Sequence, residues 1–298
     1  MKKSLQTSLL FYIRIFGTSI FLFWILRNID WNLVSDDFDH VDVVLLSFAV
    51  LCLAATRVLM PLKWGFLLRA HSMNVPIAQL IESYFTASFL GIALPATIGA
   101  DSLRAVLLSR TQGNSAVIVN TIVTERILGF ITLTIVAIPG ALFLFANTNY
   151  RSMQLGSSTA LLLAVLVLGV FLIGRWTKTP PQSSSQTMSY INTLLKFPYS
   201  LKDTVSFVTV TLVEMALAFC AVWFVILSFQ VPISIGFVFA FLPLQFILIR
   251  LPISISGFGP HEAGFMFFLS LKNISPSIAF SIGLVHHLLQ LLVLTAAI

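Results

Sequence analysis

Leu94-Pro95-Ala96-Thr97-Ile98-Gly99-Ala100-Asp101, followed by Arg104, interrupts an apolar run of membrane quality with a proline, a glycine and two opposite charges. A second stretch does almost the same: Leu251-Pro252-Ile253-Ser254-Ile255-Ser256-Gly257-Phe258-Gly259-Pro260-His261-Glu262. Proline removes a backbone donor and crowds the preceding turn, and glycine frees the backbone. Hydrocarbon offers nothing to the groups so released, which must find partners inside the protein or in a wet cavity. Interrupted helices at matching places in two halves of a membrane protein point to a transporter's binding site.

Composition sets the class. Of 298 residues, 58% are hydrophobic and 9% charged, against roughly 25% charged in soluble domains. So few charges cannot cover a soluble globule, and the chain reads as one integral membrane domain, 1–298, of all-α, polytopic bundle type. The net charge of +6 does not suggest nucleic acid, because the Lys and Arg residues are spread out and mostly flank apolar runs. Cys52 and Cys220 lie in apolar runs with no metal-site spacing, and no cofactor or metal is expected. P-loop, Rossmann and nucleophile-elbow patterns are absent, so neither an ATP-driven pump nor an enzyme is expected.

A spanning helix needs about 20 mostly apolar residues. The candidates are 9–29, 43–64, 78–94 running into the first break, a short return over 101–110, 117–145 with room to bend at Pro139-Gly140, and 155–175. A polar link, 176–203, follows. Then come 204–229, 233–251, the second break with 263–271, and 277–298. Met1-Lys2-Lys3-Ser4 imitates a secretory signal, but Arg14 interrupts the stretch and no clear cleavage site follows, so the first span reads as uncleaved. Lys2 and Lys3 put the N-terminus in the cytoplasm. The Asp-rich loop after Arg27 falls outside, Lys63 and Arg69 mark an inside turn, and the 176–203 link lies inside. These assignments agree if 78–110 enters and returns to the same side, as a broken, re-entrant segment does. The localisation expected is the plasma (inner) membrane.

The second Leu-Pro pair follows the first by 252 − 95 = 157 positions. The same offset carries Arg57 onto Glu214, and Glu125-Arg126 falls near His286-His287. The halves, about 43–145 and 204–298, would be inverted repeats, an arrangement common in secondary transporters.

Ionic side chains at membrane depth cost about 2.5–3.5 kcal/mol each on insertion scales and are usually functional. Those singled out are Arg57, Glu82, Asp101, Arg104, Glu125, Arg126, Glu214, Arg250 and Glu262, with His261 and His286 beside them. Asp101 and Arg104 are spaced to share a helix face. Glu125 and Arg126 are adjacent and must look elsewhere for partners: Arg126 to Asp101, Glu125 to Arg57 or Arg104. Glu214 stands alone in a long apolar helix, as a proton-coupled carboxylate would. Glu262 sits where a helix-capping acid belongs. Arg250 ends a run, where snorkelling accounts for it as well as binding does.

Arg57-x5-Lys63-Trp64, Tyr84-x4-Phe89-x4-Leu94-Pro95, Gly99-x-Asp101-x-x-Arg104, Glu125-Arg126-x-x-Gly129 and Pro252-x4-Gly257-x-Gly259-x-x-Glu262 together resemble the membrane domain of lysylphosphatidylglycerol synthases, which also occurs as standalone flippase-like proteins. One departure is Gly99-Ala100-Asp101, where the family commonly has Gly-Gly-Asp. In two-domain members of the family this half is regarded as the translocator and a soluble half makes the lipid. No stretch of these 298 residues reads as such a soluble half. The resemblance therefore implies handling of membrane lipids rather than their synthesis.

The expected function is movement of a phospholipid or lipid-linked intermediate between leaflets. Arg57, Arg104 and Arg126 would hold the phosphate, Asp101 and Glu125 would orient them, and Glu214, His261, Glu262 and His286 would serve gating or proton coupling. The alternative is a scaffold for a separate lipid-modifying or glycosyl-transferring enzyme, docked through the 176–203 link.

Overall fold

The computed structural model describes residues 27, 29, 38, 41–91, 96–146, 199–249 and 257–296. The candidate span 155–175, nearly all of 9–29, most of the 176–203 link, Arg250 and both Leu-Pro pairs lie outside the described residues. Within them the chain is wholly helical: α1 Val43–Ala70, α2 Ile77–Gly91, α3 Ala96–Gln112, α4 Ser115–Ala146, α5 Leu201–Ser228, α6 Ile235–Ile249, α7 Pro260–Ser270 and α8 Pro276–Thr295. Four of these, α1, α4, α5 and α8, are long and apolar enough to cross a membrane. Large apolar side chains such as Val44, Leu51, Ile135, Leu142 and Leu292 stand exposed on the outside of the bundle, a surface suited to a bilayer rather than to water. The protein is a multi-pass helical membrane bundle.

Helix limits follow local chemistry. The Asp42 carboxylate caps α1 by accepting the Val44 and Leu45 amides at 2.8 and 3.2 Å. Ser200 and Asp203 form a reciprocal capping box on α5, and Ser275 caps α8 with Pro276 in its first turn. Such caps satisfy amides that a helix start leaves bare. Gly257 and Gly259 take φ of +83° and +92°, values that only glycine adopts cheaply. They turn the chain into α7.

One expectation needs correction here. Apolar run 43–64 was to end near Lys63 and Arg69 in a cytoplasmic turn. Instead α1 continues for 28 residues to Ala70, and Lys63 is buried inside it. Nothing stops the helix before His71-Ser72, where Ser72 turns to φ +60°. The short return expected over 101–110 is also longer, because α3 begins at Ala96.

α1 and α5 form the central seam and run antiparallel. The Asp42 amide donates to the Ser228 carbonyl at one end, and Phe48 stacks obliquely on Phe224. Lys63 bonds Glu214, and Leu67 packs on Phe207 at the other end. Each quartet of helices repeats one order: a 28-residue helix, a 15-residue helix, a short partner of 17 residues in the first quartet and 11 in the second, then a long helix. Exchanging α1–α4 for α5–α8 carries every helix packing onto another. α2 on α3 answers α6 on α7, α3 on α4 answers α7 on α8, α4 on α6 answers α8 on α2, and α1 on α8 answers α5 on α4. At about 1.5 Å per residue, α2, α3, α6 and α7 each fall short of a hydrocarbon core about 30 Å thick.

Close approaches hold the short helices. Gly91 lies directly against the methyl of Ala100, leaving no room for a side chain of its own. The alanine that departs from the resembling family's Gly-Gly-Asp run thus has its space supplied from α2. Gly140 lets α4 pass against the backbone of α6, where a Cβ would come within 2.4 Å of the Ala240 carbonyl oxygen. Overpacking of this kind costs about 1–3 kcal/mol. Gly140→Ala should therefore lower the melting temperature in detergent by several degrees. Gly236→Ala, where nothing lies within 4 Å, should leave it unchanged.

Candidate functional site

Four of the residues singled out from sequence meet where α3 packs on α4. Arg126 grips Asp101 with both ends of its fork, Nε to Oδ2 at 2.7 Å and Nη2 to Oδ1 at 2.6 Å. Arg104 Nη2 lies 2.8 Å from Glu125 Oε2 and 3.4 Å from Asp101 Oδ1. The expected i, i+3 pair on α3 is therefore the weaker contact, and the carboxylate of Asp101 belongs chiefly to Arg126. Side-chain exposure falls from 44% at Arg126 to 18% at Asp101, 6% at Glu125 and 3% at Arg104. The cluster has a mouth and a floor.

The floor is built from aromatic rings. The guanidinium carbon of Arg104 lies 4.4 Å from the ring centre of Trp64 and 4.9 Å from that of Tyr84. Cation–π contact of this kind is worth about 2 kcal/mol when desolvated. Trp64 is held in turn, its Nε1–H donating to Thr121 Oγ1 at 3.0 Å. Rings cover faces and leave edges. Arg104 Nε and Nη1 donate to nothing among the described residues, and Glu125 Oε2, though within ion-pair distance of Arg104, accepts no hydrogen bond of proper geometry. A buried polar atom without a partner costs about 1–3 kcal/mol, more when charged.

Arg57 stands apart from this cluster. No hydrogen bond or ion pair engages it among the described residues, yet it interacts electrostatically with Glu214, Tyr84 and His286. Pro61 has no N–H to return to the Arg57 carbonyl, so a backbone acceptor is freed at the same place. Glu214 is not the lone carboxylate expected, because antiparallel packing of α1 on α5 brings Lys63 onto it. Glu82 is exposed on α2 and takes no part.

A second polar cluster lies between α7 and α8. His261 Nε2 is 3.2 Å from His286 Nδ1, and His286 Nε2 is 3.3 Å from the amide nitrogen of Gln290. Glu262 Oε1 is 2.8 Å from His287 Nδ1, and Oε2 accepts the Gly259 amide at 2.7 Å. Glu262 is thus the helix-capping acid its position suggested, and it also holds His287, against which Phe258 stacks. Gln245, fully buried on α6, donates to the His261 carbonyl at 3.2 Å. No group of three or more His, Cys, Asp or Glu among the described residues is placed to hold a metal.

Sequence reasoning named none of Lys63, Trp64, Tyr84, Gln245 and Gln290 as site residues. Lys63 was readable, since nothing in the run from Val43 to Ala70 ends a helix before it. The glutamines carry no charge to mark them.

The Lys63–Glu214 pair joins the two halves at the seam. Removing one member of a buried pair strands the other's charge, at about 3–5 kcal/mol. Glu214→Leu should lower the melting temperature in detergent markedly, and Lys63→Met/Glu214→Leu should recover most of the loss.

Residues 8–298 match the family described as the lysylphosphatidylglycerol synthase TM region. Comparison with curated proteins finds no match. With nearly its whole length matched, and with the charged residues of the resembling motifs gathered at helix contacts, the chain belongs to the lysylphosphatidylglycerol synthase TM region family of membrane domains.

Proposed function

We propose that this protein is a lipid translocator that passes the phosphate-bearing headgroup of a phospholipid or lipid-linked intermediate between leaflets, acting as a transporter and not as an enzyme. The observation that carries the reading is Arg104. A guanidinium 3% exposed, floored by two aromatic rings, keeps two nitrogens, Nε and Nη1, without acceptors among the described residues. Phosphate oxygens are the acceptors that an arginine fork matches best. Arg126 at the mouth meets the headgroup first, with Asp101 fixing its fork. Arg57, without an ion pair among the described residues, is a further cation within electrostatic reach of Tyr84 and Glu214. A polar headgroup in bare hydrocarbon costs several kcal/mol, and a passage lined by such side chains removes most of that cost.

Antiparallel α1 and α5, together with the exchange of packings between the quartets, support two inverted halves about an axis in the membrane plane. Alternating access by rocking of such halves is the natural motion. The Lys and Arg distribution supports placement in the plasma (inner) membrane with the N-terminus in the cytoplasm.

In proteoliposomes containing the purified protein alone, fluorescent phospholipid should become accessible to an impermeant quencher on both leaflets. A scaffold for another enzyme would show no such transfer. Arg126→Ala should abolish it while leaving membrane insertion intact, and unchanged transfer would rule out the site. Arg104→Lys keeps the charge but loses the fork. It should slow transfer at least tenfold, the equivalent of about 1.4 kcal/mol.

A further inference from the structure

We propose that the His261–His286–Gln290 chain is a proton-binding site whose occupancy is linked, through Arg57, to binding of a singly charged anion at the arginine site. It rests on the headgroup reading above and adds what drives the cycle.

The hydrogen bonds fix where protons sit. The amide nitrogen of Gln290 is only a donor, so His286 Nε2, 3.3 Å away, presents its lone pair. His286 must then carry its proton on Nδ1 and donate it to His261 Nε2, 3.2 Å away. The chain as it stands is neutral, and both nitrogens of His286 are engaged. A half-turn of the Gln290 amide presents oxygen instead of nitrogen. His286 can then hold protons on both nitrogens, giving one to Gln290 and one to His261. Passing the Nδ1 proton on to His261 Nε2 releases another from His261 Nδ1. One proton enters and one leaves, and no bond other than N–H changes.

The surroundings give the sign of the linkage. Among the described residues, the charged and titratable groups facing the chain are Arg57 from α1, Glu262 from α7 and His287 from α8, while α6 contributes the uncharged Gln245. His287 Nδ1 is paired with Glu262 Oε1 at 2.8 Å. Among the described residues on the arginine side, Arg57, Lys63, Arg104 and Arg126 stand with Asp101, Glu125 and Glu214, one positive charge in excess. On the histidine side, Glu262 supplies one negative charge. With the histidines neutral and no anion bound, these described charges balance. With one anionic charge bound and one proton taken up, they balance again. Either alone leaves net charge at membrane depth, which is costly. Protonation beside Arg57 therefore favours the anion, and by reciprocity the anion draws in a proton. A phosphodiester carries the single charge this balance requires.

Calorimetric titration of the detergent-purified protein tests this. The probes are dioctanoyl phosphatidylglycerol and, separately, inorganic phosphate, each at pH 8 and pH 6 in two buffers of different ionisation heat. The lipid should bind at least about fivefold more tightly at pH 6, with buffer-dependent heats that report proton uptake. Inorganic phosphate in place of the lipid would identify a free anion as the ligand. His286→Gln and His261→Gln should each bind with the same affinity at both pH values and take up no proton. Lipid binding by the wild type without pH dependence or proton uptake would overturn the linkage and leave the headgroup site standing. So would pH dependence that survives in both variants. Binding of neither probe at either pH would overturn the headgroup site and the linkage together.

Discussion

An ionic side chain in hydrocarbon must have company, and the bundle is arranged around that requirement. Each interior acid has a cation or histidine within reach: Asp101 has Arg126, Glu125 has Arg104, Glu214 has Lys63 and Glu262 has His287. None of these pairs lies within one helix. Each joins α3 to α4, α1 to α5 or α7 to α8, so the charges that are expensive to bury also specify which helices touch. Buried ion pairs add little net stability over apolar packing. Stability comes instead from the aromatic core around Phe219, Phe237, Phe241, Phe265 and Phe268. The pairs contribute arrangement, and at Arg104 they leave that arrangement incomplete.

Much of the fold was legible because apolar length and helix-breaking residues act locally. The four long apolar helices follow from runs of Leu, Ile, Val and Phe. The helix ends were less legible. Lys63 and Arg69 looked like a loop signal because charge usually marks the membrane surface. Lys63 defeats that rule because Glu214 answers it from a helix more than a hundred residues away in sequence. A rule about solvation cannot anticipate a partner supplied by tertiary packing.

The candidate site divides the same way. Arg126 with Asp101, and Glu125 with Arg104, were among the pairings open in the sequence, since adjacent residues on a helix diverge and must look outward. The aromatic floor was not, because Trp64 and Tyr84 in a membrane chain read first as ordinary apolar bulk. Nor were Gln245 and Gln290, whose importance comes only from the atoms they face. The replacement of the family's glycine by Ala100 threatened the tight contact of α2 with α3. Gly91 on the facing helix compensates, and no reading of one motif by itself could have shown that.

The two quartets share a scaffold but not a charge. On the first, the short helix carries a cation, Arg104, which meets an acid, Glu125, on the long helix. On the second, the short helix carries an acid, Glu262, which meets a histidine on the long helix. A repeated frame with opposite signs sets up a field across the interior, with Arg57 in electrostatic reach of both Glu214 and His286. Glu262 is poorly suited to be the group that titrates, because the Gly259 amide and His287 both hold its charge in place, and capping favours an ionised acid at a helix start. The imidazole chain has no such anchor. Its proton positions are set by an uncharged amide whose two ends differ little in size, so exchanging them disturbs no packing. That makes the histidines the adjustable pole and the arginines the fixed one, an asymmetry that neither half would have alone.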